Sequence, residues 1–103
     1  PLWLAPVQVL LIPIKDTVQE YALEVKKQLL LSGIRVEIDQ RSETLDKRIR
    51  SAEINKIPYC LVLGPREAQN KQVSVRKKGT GDQGVMLLEE FIGILKTQIQ
   101  TYQ

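Results

Sequence analysis

The sequence predicts an α/β domain of three layers, with helices on both faces of a mixed sheet. Three observations carry this. Short β-branched apolar runs alternate with stretches of helical periodicity in the order β-α-β-α-β, which gives three parallel strands joined by crossovers. The third run is apolar throughout, as a central strand covered on both faces would be. The short link from that run to a fourth favours an antiparallel partner there.

Val7 to Ile12 is an apolar, β-branched run closed by Pro13, and it reads as a buried strand. Asp16 is the expected N-cap of the helix that follows. Val18, Tyr21, Ala22, Val25 and Leu29 step by three and four along one face of that helix, and Gly33 ends it. Ile34 to Ile38 alternates as a second strand. A weaker helical pattern runs through Leu45, Ile49 and Ala52 and stops before Pro58. Tyr59 to Leu63 is the third strand, Gly64-Pro65 turns the chain, and Gln72 to Arg76 is a short fourth strand. Lys77 to Gly84 reads as a loop rich in Gly and Lys. Leu88, Phe91, Ile92, Leu95, Ile99 and Tyr102 form the longest helical stripe, poorly capped at Leu87.

With 103 residues the chain has room for one domain, expected over 1–103. Its 43% hydrophobic and 26% charged residues describe a globular chain rather than a disordered one. No apolar run approaches the ~20 residues of a membrane helix. The opening Pro1-Leu2-Trp3-Leu4-Ala5-Pro6 lacks the basic lead of a signal peptide, and a first residue of Pro suggests a piece of a longer protein. Cys60, the single cysteine, lies in an apolar run and reads as a small core residue in a reducing compartment. There is no histidine, which removes Ser-His-Asp and Cys-His catalysis and histidine metal ligands. No Lys, Glu, Asp or Tyr stands in a recognisable catalytic spacing, so a catalytic site is not expected.

The net charge of +3 is modest, but its distribution is uneven. Lys71, Arg76, Lys77 and Lys78 fall in a stretch from 71 to 81 that holds no acidic residue. Two regions carry groups suited to nucleic acid. Arg41 to Arg50 holds Arg41, Glu43, Lys47, Arg48 and Arg50. Arg66 to Lys78 holds Arg66, Glu67, Asn70, Lys71, Arg76, Lys77 and Lys78. Cations neutralise phosphates without regard to sequence, whereas base choice needs a directional donor or acceptor. A carboxylate beside cations only accepts, and unpaired guanine offers adjacent N–H donors for it to grip. On charge alone the same residues read equally well as a solvated face. Aromatic platforms are scarce, because Trp3, Tyr21, Tyr59, Phe91 and Tyr102 mostly suit core or edge packing.

Several segments resemble, in order, the C-terminal anticodon-binding domain of threonyl-tRNA synthetases. They are Pro1 to Val9, Gly33-Ile34-Arg35-Val36-Glu37, Lys47-Arg48-Ile49-Arg50, Lys56-Ile57-Pro58-Tyr59, Val73-Ser74-Val75-Arg76 and Gly79 to Gly84. The similarity covers nearly all of the chain, with residues 1–6 as the remnant of a linker from a catalytic domain. It implies a five-stranded mixed sheet of the class II synthetase anticodon-binding type, with a short fifth strand near Gly84 to Met86. It also implies binding of the anticodon loop of tRNA(Thr), whose anticodons end in G-U. By position, Glu67 would accept from guanine, Arg76 would donate to base carbonyls, and Arg50 would support them. Ser42, Arg41, Lys47, Lys77 and Lys78 complete the expected RNA-binding set.

The resemblance further implies a parent enzyme, a threonine–tRNA ligase using ATP and zinc in its catalytic domain and homodimeric; the parent is expected in the cytoplasm, with mitochondrion or plastid as alternatives. This chain would hold no cofactor or metal and would be monomeric when isolated. The sequence departs from the family pattern at Ser42-Glu43-Thr44, where Asn-Glu-Lys is usual, and at Asp46, where Gly is common. Reading should therefore lean more on Glu67 and Arg76, or depend less on the anticodon. Rival readings are the related module of a prolyl-, glycyl- or histidyl-tRNA synthetase, a non-synthetase descendant such as a mitochondrial DNA polymerase accessory subunit, and a small flavin-binding or regulatory protein. The last would need a phosphate-cradling loop or an acidic pocket after the first strand, and Pro13-Ile14-Lys15-Asp16 offers neither.

Overall fold

The computed structural model describes residues 5–39 and 43–100. Five strands form one sheet: β1 (Val9–Pro13), β2 (Val36–Ile38), β3 (Tyr59–Leu63), β4 (Gln72–Lys77) and β5 (Gly81–Leu87). Their spatial order is β2-β1-β3-β4-β5, with β1 parallel to β2 and β3, and with β4 antiparallel to β3 and β5. The helices are α1 (Gln19–Leu31), α2 (Leu45–Ile54), α3 (Pro65–Asn70) and α4 (Leu88–Gln100).

Strand alternation divides the core into two layers. Val9, Leu11, Leu61, Leu63, Val73 and Val75 meet Tyr21, Ala22, Val25 and Leu29 of α1 and Phe91 and Leu95 of α4. Phe91 also meets Tyr59 edge-on, with ring centroids 5.5 Å apart. On the other face Leu10, Ile12 and Cys60 meet Ala52 of α2, with Leu45, Ile49 and Ile57 beside them. This second layer is smaller, so α2 covers β1 and the near end of β3 and leaves much of β4 and β5 bare. Tyr102, counted in the last helical stripe, lies outside the described residues, as does Trp3.

Several expectations are corrected. Asp16 does not cap α1; it opens a 3-10 turn (Asp16–Val18) that buries Val18, and α1 starts beyond it without a side-chain cap. Thr44 caps α2 instead, its hydroxyl accepting from the Lys47 N–H at 3.3 Å. The stretch from Arg66 is not a loop: α3 occupies its start, opened by Pro65 in the first turn, where a missing N–H costs nothing. The second strand begins at Val36 rather than Ile34, and the fifth is longer than expected. Its extra length comes from a tight hairpin at residues 78–80 and from a bulge, since Val75 pairs with Gly84 but Arg76 pairs with Asp82. Gly84 takes φ +87° there, a conformation glycine adopts without strain.

Helices α1 and α2 end in the same motif. Gly33 N–H bonds to Leu30 and Ile34 N–H to Leu29; likewise Lys56 N–H bonds to Glu53 and Ile57 N–H to Ala52. The left-handed position is Gly33 in one and Lys56, at φ 60°, in the other.

Candidate nucleic-acid interface

The bare part of the sheet is built by parity. Because Val73 and Val75 point into the α1 layer, Gln72, Ser74 and Arg76 point to the α2 side. Their partners across the ladders are Val62 and Cys60 on β3, and Leu87, Val85 and, opposite Arg76, Asp82 on β5. Val85 is 56% exposed and Leu87 42%, so α2 does not reach them. The result is a strip open along β4 and β5, bordered on β3 by the buried Val62 and Cys60.

Arg76 lies at one end of this strip, opposite Cys60 and beside the bulge, in a small crevice with Ile49 and Glu53 of α2 and with Lys77 and Lys78. Lys77 and Lys78 are exposed, and the Lys78 N–H donates to the Pro58 carbonyl at 2.8 Å. Glu67 lies at the other end. Gly64 is extended (φ −117°, ψ 179°), so the alternation of β3 continues through it, and a Cβ placed there would be 3.2 Å from Glu67 Oε1. The carboxylate therefore borders the same face as Arg76. Its Oε1 accepts from the Gly64 N–H at 3.1 Å, which closes the first turn of α3. A carboxylate has about four acceptor sites, so Glu67 keeps capacity for a ligand.

The two predicted readers thus share a face and are not paired with each other, but they are not neighbours. Four residues of β3 separate their levels, roughly 13 Å at strand rise. That gap between backbone levels exceeds the ~3.4 Å between stacked bases, and the long Arg76 side chain can shorten it.

The other expected site residues divide. At about 100° per residue, Ile49 and Glu53 mark the edge of α2 that faces Arg76. Arg50 is exposed next to that edge. Lys47 falls on the outer flank, turned from the strip, where its Nζ lies 3.8 Å from Glu43 in an exposed pair that contributes little. Arg41 and Ser42 lie outside the described residues. Arg48, counted among the cations for RNA, is buried. Its Nη1 donates to the Pro13 carbonyl at 3.2 Å, its Nη2 donates to the Asp39 carbonyl at 2.6 Å, and its Nε is 3.5 Å from Asp39 Oδ2. It fastens α2 to the ends of β1 and β2 and neutralises no phosphate.

Two groups hold their protons, Cys60 on the strip side of the sheet and Tyr21 in the α1 layer behind it. Burial pushes the Cys60 thiol up to about 11, with Glu53 adding to the rise and Arg76 opposing it. Burial, then Glu24 and Glu67, push the Tyr21 phenol up to about 12, and its hydroxyl donates to the Gln72 carbonyl at 2.7 Å. The sequence reading passed over Ser74, Val85, Leu87 and Glu53. The first was legible, because the valines flanking Ser74 fix its face.

The five-stranded mixed sheet with helices on both faces is the fold of the anticodon-binding domains of aminoacyl-tRNA synthetases. The chain belongs to the anticodon-binding-domain family: the family profile described as "Anticodon binding domain" matches residues 8–98. Among curated proteins it is similar to the threonine–tRNA ligase of Chloroherpeton thalassium, 50% identical over 101 residues, which are 98% of this chain and 15% of that protein. Among solved structures it resembles the RNA binding domain of threonyl-tRNA synthetase from Cryptosporidium parvum Iowa II, with a TM-score of 0.85 and 29% identity over 96% of this chain and 25% of that one. Histidyl-tRNA synthetase from Nostoc sp. PCC 7120 shares the fold, with a TM-score of 0.84 and 24% identity over 91% of this chain and 23% of that one. The chain spans about 15% of the length of the ligases it matches.

Proposed function

We propose that this chain is the tRNA-recognition module of a threonine–tRNA ligase and reads the G-U of the threonine anticodon on the open strip. The observation that carries the reading is the placement of Glu67 and Arg76 on one uncovered sheet face at a spacing that suits two splayed bases. Glu67 accepts from the guanine edge, and Arg76 donates to the carbonyls of the neighbouring base. Arg50, Lys77 and Lys78 supply phosphate contacts around them, and Lys47 adds a weaker field from the outer flank. Ser42 and Arg41 belong to the proposed set by sequence position. Aminoacylation, with the ATP and zinc it implies, belongs in this reading to a catalytic domain outside the chain. Among the described residues no three His, Cys, Asp or Glu side chains gather as metal ligands would.

Filter binding of tRNA(Thr) against a variant with cytosine as the middle anticodon base tests the claim. Each good contact is worth ~1–3 kcal/mol, so the variant should bind roughly 5- to 150-fold more weakly. Equal affinity would remove base reading. Glu67→Ala should erase the difference. Glu67→Gln should erase most of it while keeping the α3 cap, since an amide oxygen still accepts from Gly64.

A further inference from the structure

At the Glu67 end of the strip one row of residues crosses the sheet in a pattern of its own. Pro13 pairs with Leu63, Val62 with Ser74 and Gln72 with Leu87, so Ile14, Gly64, Gln72 and Leu87 stand at one level. The Ile14 N–H donates to the Leu63 carbonyl at 3.0 Å, which carries the ladder one residue past β1. Gly64 leaves a gap in that row. A Cβ there would lie 3.1 Å from Ile14 Cδ1 and 3.2 Å from Glu67 Oε1. Its extended backbone suits any residue, so the glycine serves the space above it and not its own dihedral angles.

The Glu67 carboxylate stands in that gap, one strand spacing (~4.8 Å) from the line of Gln72. The Tyr21 hydroxyl holds Gln72 from behind at 2.7 Å, through the backbone carbonyl and not the side-chain amide. Parity turns that amide to the α2 side, where the residue is half-buried. An ionised carboxylate only accepts, whereas an amide also offers two N–H donors. On the two flanks Ile14 and Leu87 are apolar and 44% and 42% exposed, placed to keep water from the polar pair once a ligand covers it. An acceptor beside a donor, about one base edge apart, complements the pairing edge of guanine, with its adjacent N–H groups and its carbonyl. Adenine would set a bare ring nitrogen against the carboxylate. We infer that Gln72 is a specificity-determining residue of the strip: its amide donates to the guanine carbonyl while Glu67 accepts from the same edge. This rests on the reading of Glu67 as the guanine acceptor.

The test is filter binding of the full-length protein to threonine anticodon stem-loops with guanine, 2-aminopurine or cytosine as the middle anticodon base. 2-Aminopurine keeps guanine's amino group and lacks its carbonyl. Gln72→Met keeps the length of the side chain and has no N–H to donate. It should weaken the guanine stem-loop about tenfold, the size of one directed contact, and leave the 2-aminopurine stem-loop within twofold. An unchanged affinity for guanine would overturn the inference. So would an equal loss on both RNAs, because a donor to the carbonyl cannot act where there is none. If the unaltered protein holds the guanine and cytosine stem-loops alike, the reading of Glu67 falls and this inference with it. If it tells them apart and Gln72→Met changes nothing, only the inference falls.

Discussion

Replacing Arg48 by Met should destabilise the chain far more than the loss of any exposed cation. The guanidinium and the Asp39 carboxylate are 8% and 3% exposed, so neither is solvated by water. Without Arg48 the buried Asp39 charge loses its Arg48 partner, and the Pro13 and Asp39 carbonyls lose the guanidinium's donors. Breaking a buried pair in this way costs ~3–5 kcal/mol, a large share of the 5–15 kcal/mol that holds a domain of this kind together. Methionine fills part of the space of the arginine stem, which places the expected loss near the lower end of that range. Replacing both partners, as Arg48→Met with Asp39→Leu, removes the buried Asp39 charge as well. The double variant should then cost less than the sum of the singles by about 1–3 kcal/mol. Urea unfolding followed by circular dichroism measures all four corners of the cycle. A loss below about 1 kcal/mol for Arg48→Met, or strict additivity, would refute the clamp.

Three further outcomes follow from the geometry. The Tyr21 phenol, pushed up to about 12 from 10.0, contributes stability that is full below pH 10 and is lost as pH rises toward 12, worth at most roughly 3 kcal/mol. Tyr21→Phe should flatten that fall in urea midpoints between pH 10 and 12, and an unchanged slope would contradict the buried phenol. If Lys77 and Lys78 lie against phosphates, changing both to Ala should make the salt dependence of tRNA binding shallower by about 1.4, at ~0.7 per contact; an unchanged slope would make them a solvated turn. Lys56→Gly should raise thermal stability by about 0.5–1 kcal/mol, because glycine takes the left-handed φ of 60° without the side-chain penalty, and calorimetry would show the gain.

The layers of this fold were legible where periodicity is long. The α1 face from Val18 to Leu29 and the apolar β3 were readable because each repeats its period several times. Helix α3 was not, since six residues are too few to display a period and its signal is a single Pro65 followed by Glu67. The fifth strand owes its length to a bulge, and an unpaired Gln83 leaves no mark in composition. The site was legible in part. Glu67 and Arg76 were named from a resemblance; strand parity turns Arg76 to the α2 side, and Glu67 stands at the Gly64 end of β3. Arg48 was misjudged because a charge is expected outside, and nothing local distinguishes it from Arg50 two residues on. The difference is Asp39, buried at the end of β2 and visible only once the strands are assembled. The distance between the two readers was likewise a property of register, with Arg76 opposite Cys60 and not opposite Leu63.

The margins of the sheet carry a consequence of their own. Its outer strands are unlike the central ones: β2 has three residues, and β5 carries two glycines with φ near +90° and a kink opposite Arg76. Unpaired backbone groups along a straight border would invite a stranger's strand to continue the ladder, the route to fibrils and tangled oligomers. A border three residues long gives such a visitor little to hold, and a crooked one offers no common register. The molecule can therefore leave Val85 and Leu87 bare for a ligand without also becoming a template for its own aggregation.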